Sequence, residues 1–115
     1  MDIELLRNIC LQHPAVTDEE KWGADLVFSV GGKMFCVADP EGATAFSVKV
    51  PPDAFEEYCA RPGIIPAPYL ARAGWVKFLD PHMLTKGELQ GLIGESYRLV
   101  AAKLTKKQKA ELGLF

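Results

Sequence analysis

The stretch Leu26–Ala38, Leu-Val-Phe-Ser-Val-Gly-Gly-Lys-Met-Phe-Cys-Val-Ala, decides the fold. Two runs rich in apolar residues, Leu26–Val30 and Lys33–Ala38, flank Gly31-Gly32. Both glycines tolerate positive φ, and a two-residue turn of the primed type matches the twist of paired strands. The stretch therefore reads as a β-hairpin. A phosphate loop of the Walker type is excluded, because it needs glycine at 27 and Ser or Thr at 34, where the chain has Val27 and Met34.

Downstream, Asp39-Pro40-Glu41-Gly42 reads as a turn and Thr44–Val50 as a third strand, ended by Pro51-Pro52. Asp53–Cys59 reads as a short helix burying Phe55, Tyr58 and Cys59. Residues 61–74, with Pro62-Gly63 and Pro66-Ala67-Pro68, read as loop, and Trp75–Leu79 as a fourth strand. Thr85-Lys86-Gly87-Glu88 is a capping box, with Leu84 and Leu89 at the staple positions. Leu89, Leu92, Ile93, Ser96, Tyr97, Val100 and Leu104 then mark one face of a long helix. Ser96 on that stripe reads as a buried hydroxyl bonded back to its own helix. Thr105-Lys106-Lys107-Gln108 opens a short final helix. Upstream, residues 2–12 carry a helical stripe of Ile3, Leu6 and Cys10, with Asp2 as N-cap and His13-Pro14 as stop. Asp18-Glu19-Glu20 and Trp22-Gly23 read as a solvated lead into the hairpin.

The order α-β-β-β-α-β-α with short turns implies an α+β sandwich, an antiparallel sheet with helices packed on one face. Its 115 residues make one domain, 1–115. With 49% hydrophobic and 24% charged residues the chain is globular, and no apolar run approaches the length of a bilayer span. The acidic start Met1-Asp2-Ile3-Glu4 lacks the positive region of a secretory signal, which points to the cytoplasm. Three cysteines, Cys10, Cys36 and Cys59, lie far apart and read as small hydrophobes, neither disulfides nor zinc ligands.

Alternation along the strands sorts the side chains. Pairing Ala38 with Thr44 puts Lys33 opposite Lys49, Met34 opposite Val48 and Cys36 opposite Phe46. Val27, Met34, Cys36, Phe46 and Val48 then face the helices, with Val76 and Phe78. The open face carries Lys33, Lys49, Lys77, Phe28, Phe35 and Trp75. Opposed lysines call for an anion, and cations interleaved with rings on an open sheet suit a nucleic-acid strand. The same features suit a phosphate-bearing small ligand. A bland alternative has lysine stems lying on apolar sheet surface, with loop 61–74 or a second subunit covering the rings. The net charge of −2 weighs against strong non-specific DNA binding.

The ordered blocks Trp22-Gly23, Gly32-Lys33-Met34-Phe35, Lys49-Val50, Gly63-Ile64-Ile65-Pro66-Ala67-Pro68-Tyr69, Gly74-Trp75-Val76 and Ser96-Tyr97 resemble the MmcQ/YjbR family of small bacterial proteins. The resemblance implies a fold similar to CyaY and frataxin, and a DNA-binding role of poorly defined biochemistry. It places Lys33, Lys49, Trp22, Phe35, Tyr69 and Trp75 at motif positions. Frataxin-like iron binding is not carried over, because the first helix offers only Asp2 and Glu4 as acids. His13 and His82 sit at helix ends and turns, and no HExxH or GxSxG spacing occurs. The expectation is a non-catalytic binding protein without cofactor or metal, with DNA or another polyanion as partner. The alternative is an anionic small-ligand or protein-interaction domain.

Overall fold

The computed structural model describes residues 2–22, 25–40 and 44–114. The elements run α1 Ile3–Leu11, β1 Val16–Lys21, β2 Asp25–Val30, β3 Lys33–Ala38, β4 Phe46–Lys49, α2 Phe55–Cys59, β5 Ile64–Pro66, β6 Trp75–Phe78, α3 Lys86–Ala101 and α4 Lys106–Glu111. Six antiparallel strands form one sheet in the order β1-β2-β3-β4-β6-β5, and the helices pack on one face of it. The α+β architecture read from the sequence is the observed one. Among the described residues no helix is long and apolar enough to cross a membrane.

Local signals fixed the element ends as expected. Asp2 accepts from the Leu5 amide at 2.9 Å, and the capping boxes of α3 and α4 are both formed. Gly31 and Gly32 adopt φ of +59° and +78° and pair Val30 with Lys33, the primed turn the double glycine called for. A Cβ on Gly31 would come within 2.7 Å of Leu104, so the turn also receives the end of α3. The Asp39–Gly42 turn lies partly outside the described residues.

Three readings need correction. Val16–Lys21 is a strand and Ile64–Pro66 another; both are sheet edges, where alternation of apolar residues is weak. The β2–β3 register shifts at Phe28/Ser29: Phe28 pairs with Cys36 and Ser29 with Met34, leaving Phe35 as the extra residue of a bulge. Phe35 and Cys36 are consequently both buried in the helix-side core, as is Phe28, so neither phenylalanine lies on the open face. Met34 turns to that open face instead and, with Val37, lines a cavity there. Lastly, β4 is displaced by two residues from the expected register. Cys36 pairs with Val48 and Ala38 with Phe46. Two residues preserve parity, so Cys36, Phe46 and Val48 face the helices as read, but Lys49 lies opposite Trp75 and not Lys33.

The core is aromatic at its centre. Phe46 and Phe78 stack at 5.0 Å, and Phe35 meets Tyr97 edge-on at 5.3 Å. Cys10 and Cys36 are buried free thiols; the Cys36 side chain beside Cys10, with burial second, pushes the Cys10 thiol far above its ordinary range. Cys59 is free and half-buried. Ser96 is fully buried, yet it does not bond back to its helix. Its hydroxyl donates to the Phe35 carbonyl at 2.6 Å and accepts from the Lys49 amide at 2.9 Å. The β3–β4 ladder stops at Cys36 and Val48, and Ser96 serves both strands beyond that point.

Candidate functional site

The expected site residues fall into three groups. Lys33 leaves the Gly31-Gly32 turn and is exposed; Lys49, half-buried, ends β4, its amide held by Ser96. The two lysines do not face each other across strands, but a third basic residue brings them together. Lys103 follows α3, and its neighbour Leu104 is the side chain seated on Gly31. Burial first, then Lys103 and Lys33 in turn, hold the Lys49 ammonium below its ordinary pKa. Arg72 joins Lys49 and Lys103 around a cavity of about 580 Å³, rimmed also by Asp53 and Glu56. The ion pairs among the described residues lie elsewhere: Arg7–Asp18, Lys21–Glu19 and His82–Asp80. Lys103 belongs to a basic C-terminal run, Arg98, Lys103, Lys106, Lys107 and Lys109, but its proximity to Lys33 depends on a contact 73 positions apart, Gly31 with Leu104. A glycine turn and an apolar residue closing a helical stripe are the only local hints of it.

Trp22, Tyr69 and Lys77 form the second group, around a cavity of about 480 Å³ on the helix-free face of the sheet. Ser47 and Lys77 pair across β4 and β6 on its floor, with Met34 and Val37 from β3. Asp25 and Asp39, which the sequence reading did not single out, supply carboxylates. Trp22 is 65% exposed and Tyr69 fully exposed. Both have positive φ, +52° and +67°, a backbone region that bulky side chains rarely adopt.

Phe35 and Trp75 make up the third group, and neither is available to a ligand. Phe35 is in the helix-side core, as corrected above. Trp75 has the parity expected of the open face, but it is buried, and its backbone is tied to the segment before it: Ala67 donates to the Trp75 carbonyl at 3.0 Å, and Trp75 donates to that of Leu70 at 3.3 Å. Tyr69, in the connection between β5 and β6, is by contrast fully exposed.

The two histidines have structural partners. His13 stacks on Tyr97 at 4.6 Å, and His82 Nδ1 lies 3.0 Å from Asp80. Among the described residues no three His, Cys, Asp or Glu side chains converge as metal ligands.

The fold has solved counterparts. The crystal structure of Deinococcus radiodurans protein DR2400, which carries the DUF419 domain, is similar with a TM-score of 0.88 and 30% identity, covering 99% of this chain and 89% of that one. A Pseudomonas syringae protein of known crystal structure shares the fold with a TM-score of 0.72 and 18% identity, covering 87% of this chain and 99% of its own. No functionally curated protein matches. The YjbR family model matches residues 11–99, a span that contains the sheet, both aromatic walls of the open-face cavity and two of the three clustered lysines. With most of its length matched, the chain belongs to the YjbR family.

Proposed function

We propose that this protein is a non-catalytic binding domain for a polyanion, with a nucleic-acid backbone as the ligand class. The observation that carries the reading is the crowding of Lys33, Lys49 and Lys103. Like charges drawn together are unfavourable on their own, and here, after burial, Lys103 and Lys33 depress the Lys49 pKa further. Phosphates arriving between them would relieve that repulsion. Lys106, Lys107 and Lys109 follow Lys103 in sequence on α4 and add further cations to the C-terminal segment. Contacts of this kind give affinity and little sequence selectivity. The chain's net charge of −2 opposes binding through the surface as a whole, so the reading depends on this local cluster.

Fluorescence anisotropy of labelled single- and double-stranded DNA across a salt series tests the reading. The expected result is saturable binding that weakens linearly on a log–log salt plot. The slope should fall by about 0.7–0.9 for each lysine removed in Lys33→Ala/Lys49→Ala. Absence of binding at low salt, or binding unaltered in the double variant, refutes it.

A further inference from the structure

We infer that the cavity on the open sheet face receives a single unpaired nucleobase bearing an exocyclic amino group, stacked against Trp22 and Tyr69. In taking a nucleic-acid strand as one source of that base, the inference rests on the reading above; a free nucleoside is the other source.

Trp22 reaches the cavity from the β1–β2 end of the sheet, and Tyr69 from the connection between β5 and β6, beyond the opposite side of β4. Two large exposed rings, each on a strained backbone, border one cavity of a size that suits a small ligand. Nothing in the core requires either ring to be there: among the described residues neither pairs with another aromatic group. A flat ligand with two π-faces would bury both.

The polar groups narrow the chemistry. Asp25 offers an acceptor, and Ser47 and Lys77 offer donors, over a floor that is otherwise apolar. The Asp25 carboxylate makes the cavity unsuited to a phosphate. Lys77 makes it equally unsuited to a simple organic cation. A neutral heterocycle with a donor on one edge and an acceptor on another satisfies both signs. Adenine and cytosine offer an amino donor beside a ring-nitrogen acceptor; uracil and thymine offer a single ring N–H flanked by two carbonyl oxygens that the Asp25 carboxylate would repel. Ser47 and Lys49 are two positions apart on β4, about 7 Å, so a base in the cavity lies within one nucleotide's reach of the lysine cluster.

The test uses the isotope-labelled full chain, followed by amide shifts of Ser47 and Lys77 and the Trp22 indole signal. Adenosine, cytidine and uridine carry no phosphate and probe the pocket alone; labelled deoxyadenosine and thymidine oligomers probe the strand. Adenosine and cytidine should shift these signals and bind about tenfold tighter than uridine, the scale of one hydrogen bond to a charged acceptor. Asp25→Asn should erase the preference. Trp22→Gly and Tyr69→Gly should abolish the shifts, and since each relieves a positive φ, both variants should fold. Uridine binding as well as adenosine, or tetramethylammonium shifting the signals where nucleosides do not, overturns the inference. Salt-sensitive strand binding indifferent to Tyr69→Gly and to base identity also overturns it while leaving the backbone reading intact. Nucleoside binding without strand binding upholds the pocket and removes the backbone reading.

Discussion

Ser96 on α3 donates its hydroxyl hydrogen to the carbonyl of Phe35, the extra residue of the β3 bulge, at 2.6 Å. The same oxygen accepts from Lys49. One small side chain thus satisfies two backbone groups where the ladder has parted. Ser96→Ala should leave both unpaired in a buried setting and cost about 2–4 kcal/mol. Urea denaturation measures it, and a loss below about 1 kcal/mol would mean the strands re-pair without the serine.

Lys103 is the residue whose removal should act on Lys49 without touching its backbone. Lys103→Met takes away the neighbour that, after burial, most depresses the Lys49 pKa. The Lys49 ammonium should then titrate closer to its ordinary value, as read from its Nζ resonance. The free domain should gain about 0.5 kcal/mol as like-charge repulsion is lifted, while polyanion affinity falls.

Tyr69 sets stability against binding. Its φ of +67° is unfavourable for a bulky residue, and its ring is fully exposed, so little packing offsets the strain. Tyr69→Gly should raise the unfolding free energy by about 0.5–1 kcal/mol, the relief of a left-handed residue less the added entropy of glycine. A thermal melt checks this; unchanged or lowered stability would show that the ring makes a contact worth more than the strain.

His13 should make the fold pH-sensitive. Burial against α3, and secondarily the Arg98 charge, lower its pKa beneath the ordinary 6.5. The unfolded chain then binds the proton more readily than the folded one, so stability is full above about 6.5 and is lost as pH falls through the folded value. The urea midpoint should drop between about pH 7 and pH 5. His13→Phe keeps a ring against Tyr97 and should remove this component of the slope.

Much of this architecture was legible because its signals are local. The double glycine specified its turn, and Thr85/Glu88 and Thr105/Gln108 specified two helix starts through bonds three residues apart. The apolar stripe of α3 marked its buried face. What was hidden depended on distant partners. Val16–Lys21 carries four charges in six residues and is a strand because β2 supplies a ladder. The bulge exists because the core takes Phe35 and Cys36 together, which no period-two pattern foretells. Of the candidate site, Lys33, Lys49, Lys77, Trp22 and Tyr69 remain accessible or half-accessible to a ligand, but in two clusters and not one face. Asp25 entered only through the folded arrangement, and Lys103, visible in the sequence as part of a basic C-terminal run, was joined to Lys33 and Lys49 only there.

The two outermost strands have a consequence for assembly. β1 presents Asp18, Glu19, Glu20 and Lys21 along one margin, and β5 is three residues long and ends in Pro66, which has no amide hydrogen to give. Neither margin is a template for a seventh strand. A second copy of the domain is thereby steered away from continuous sheet extension, and with it from the fibre-like growth that open margins invite.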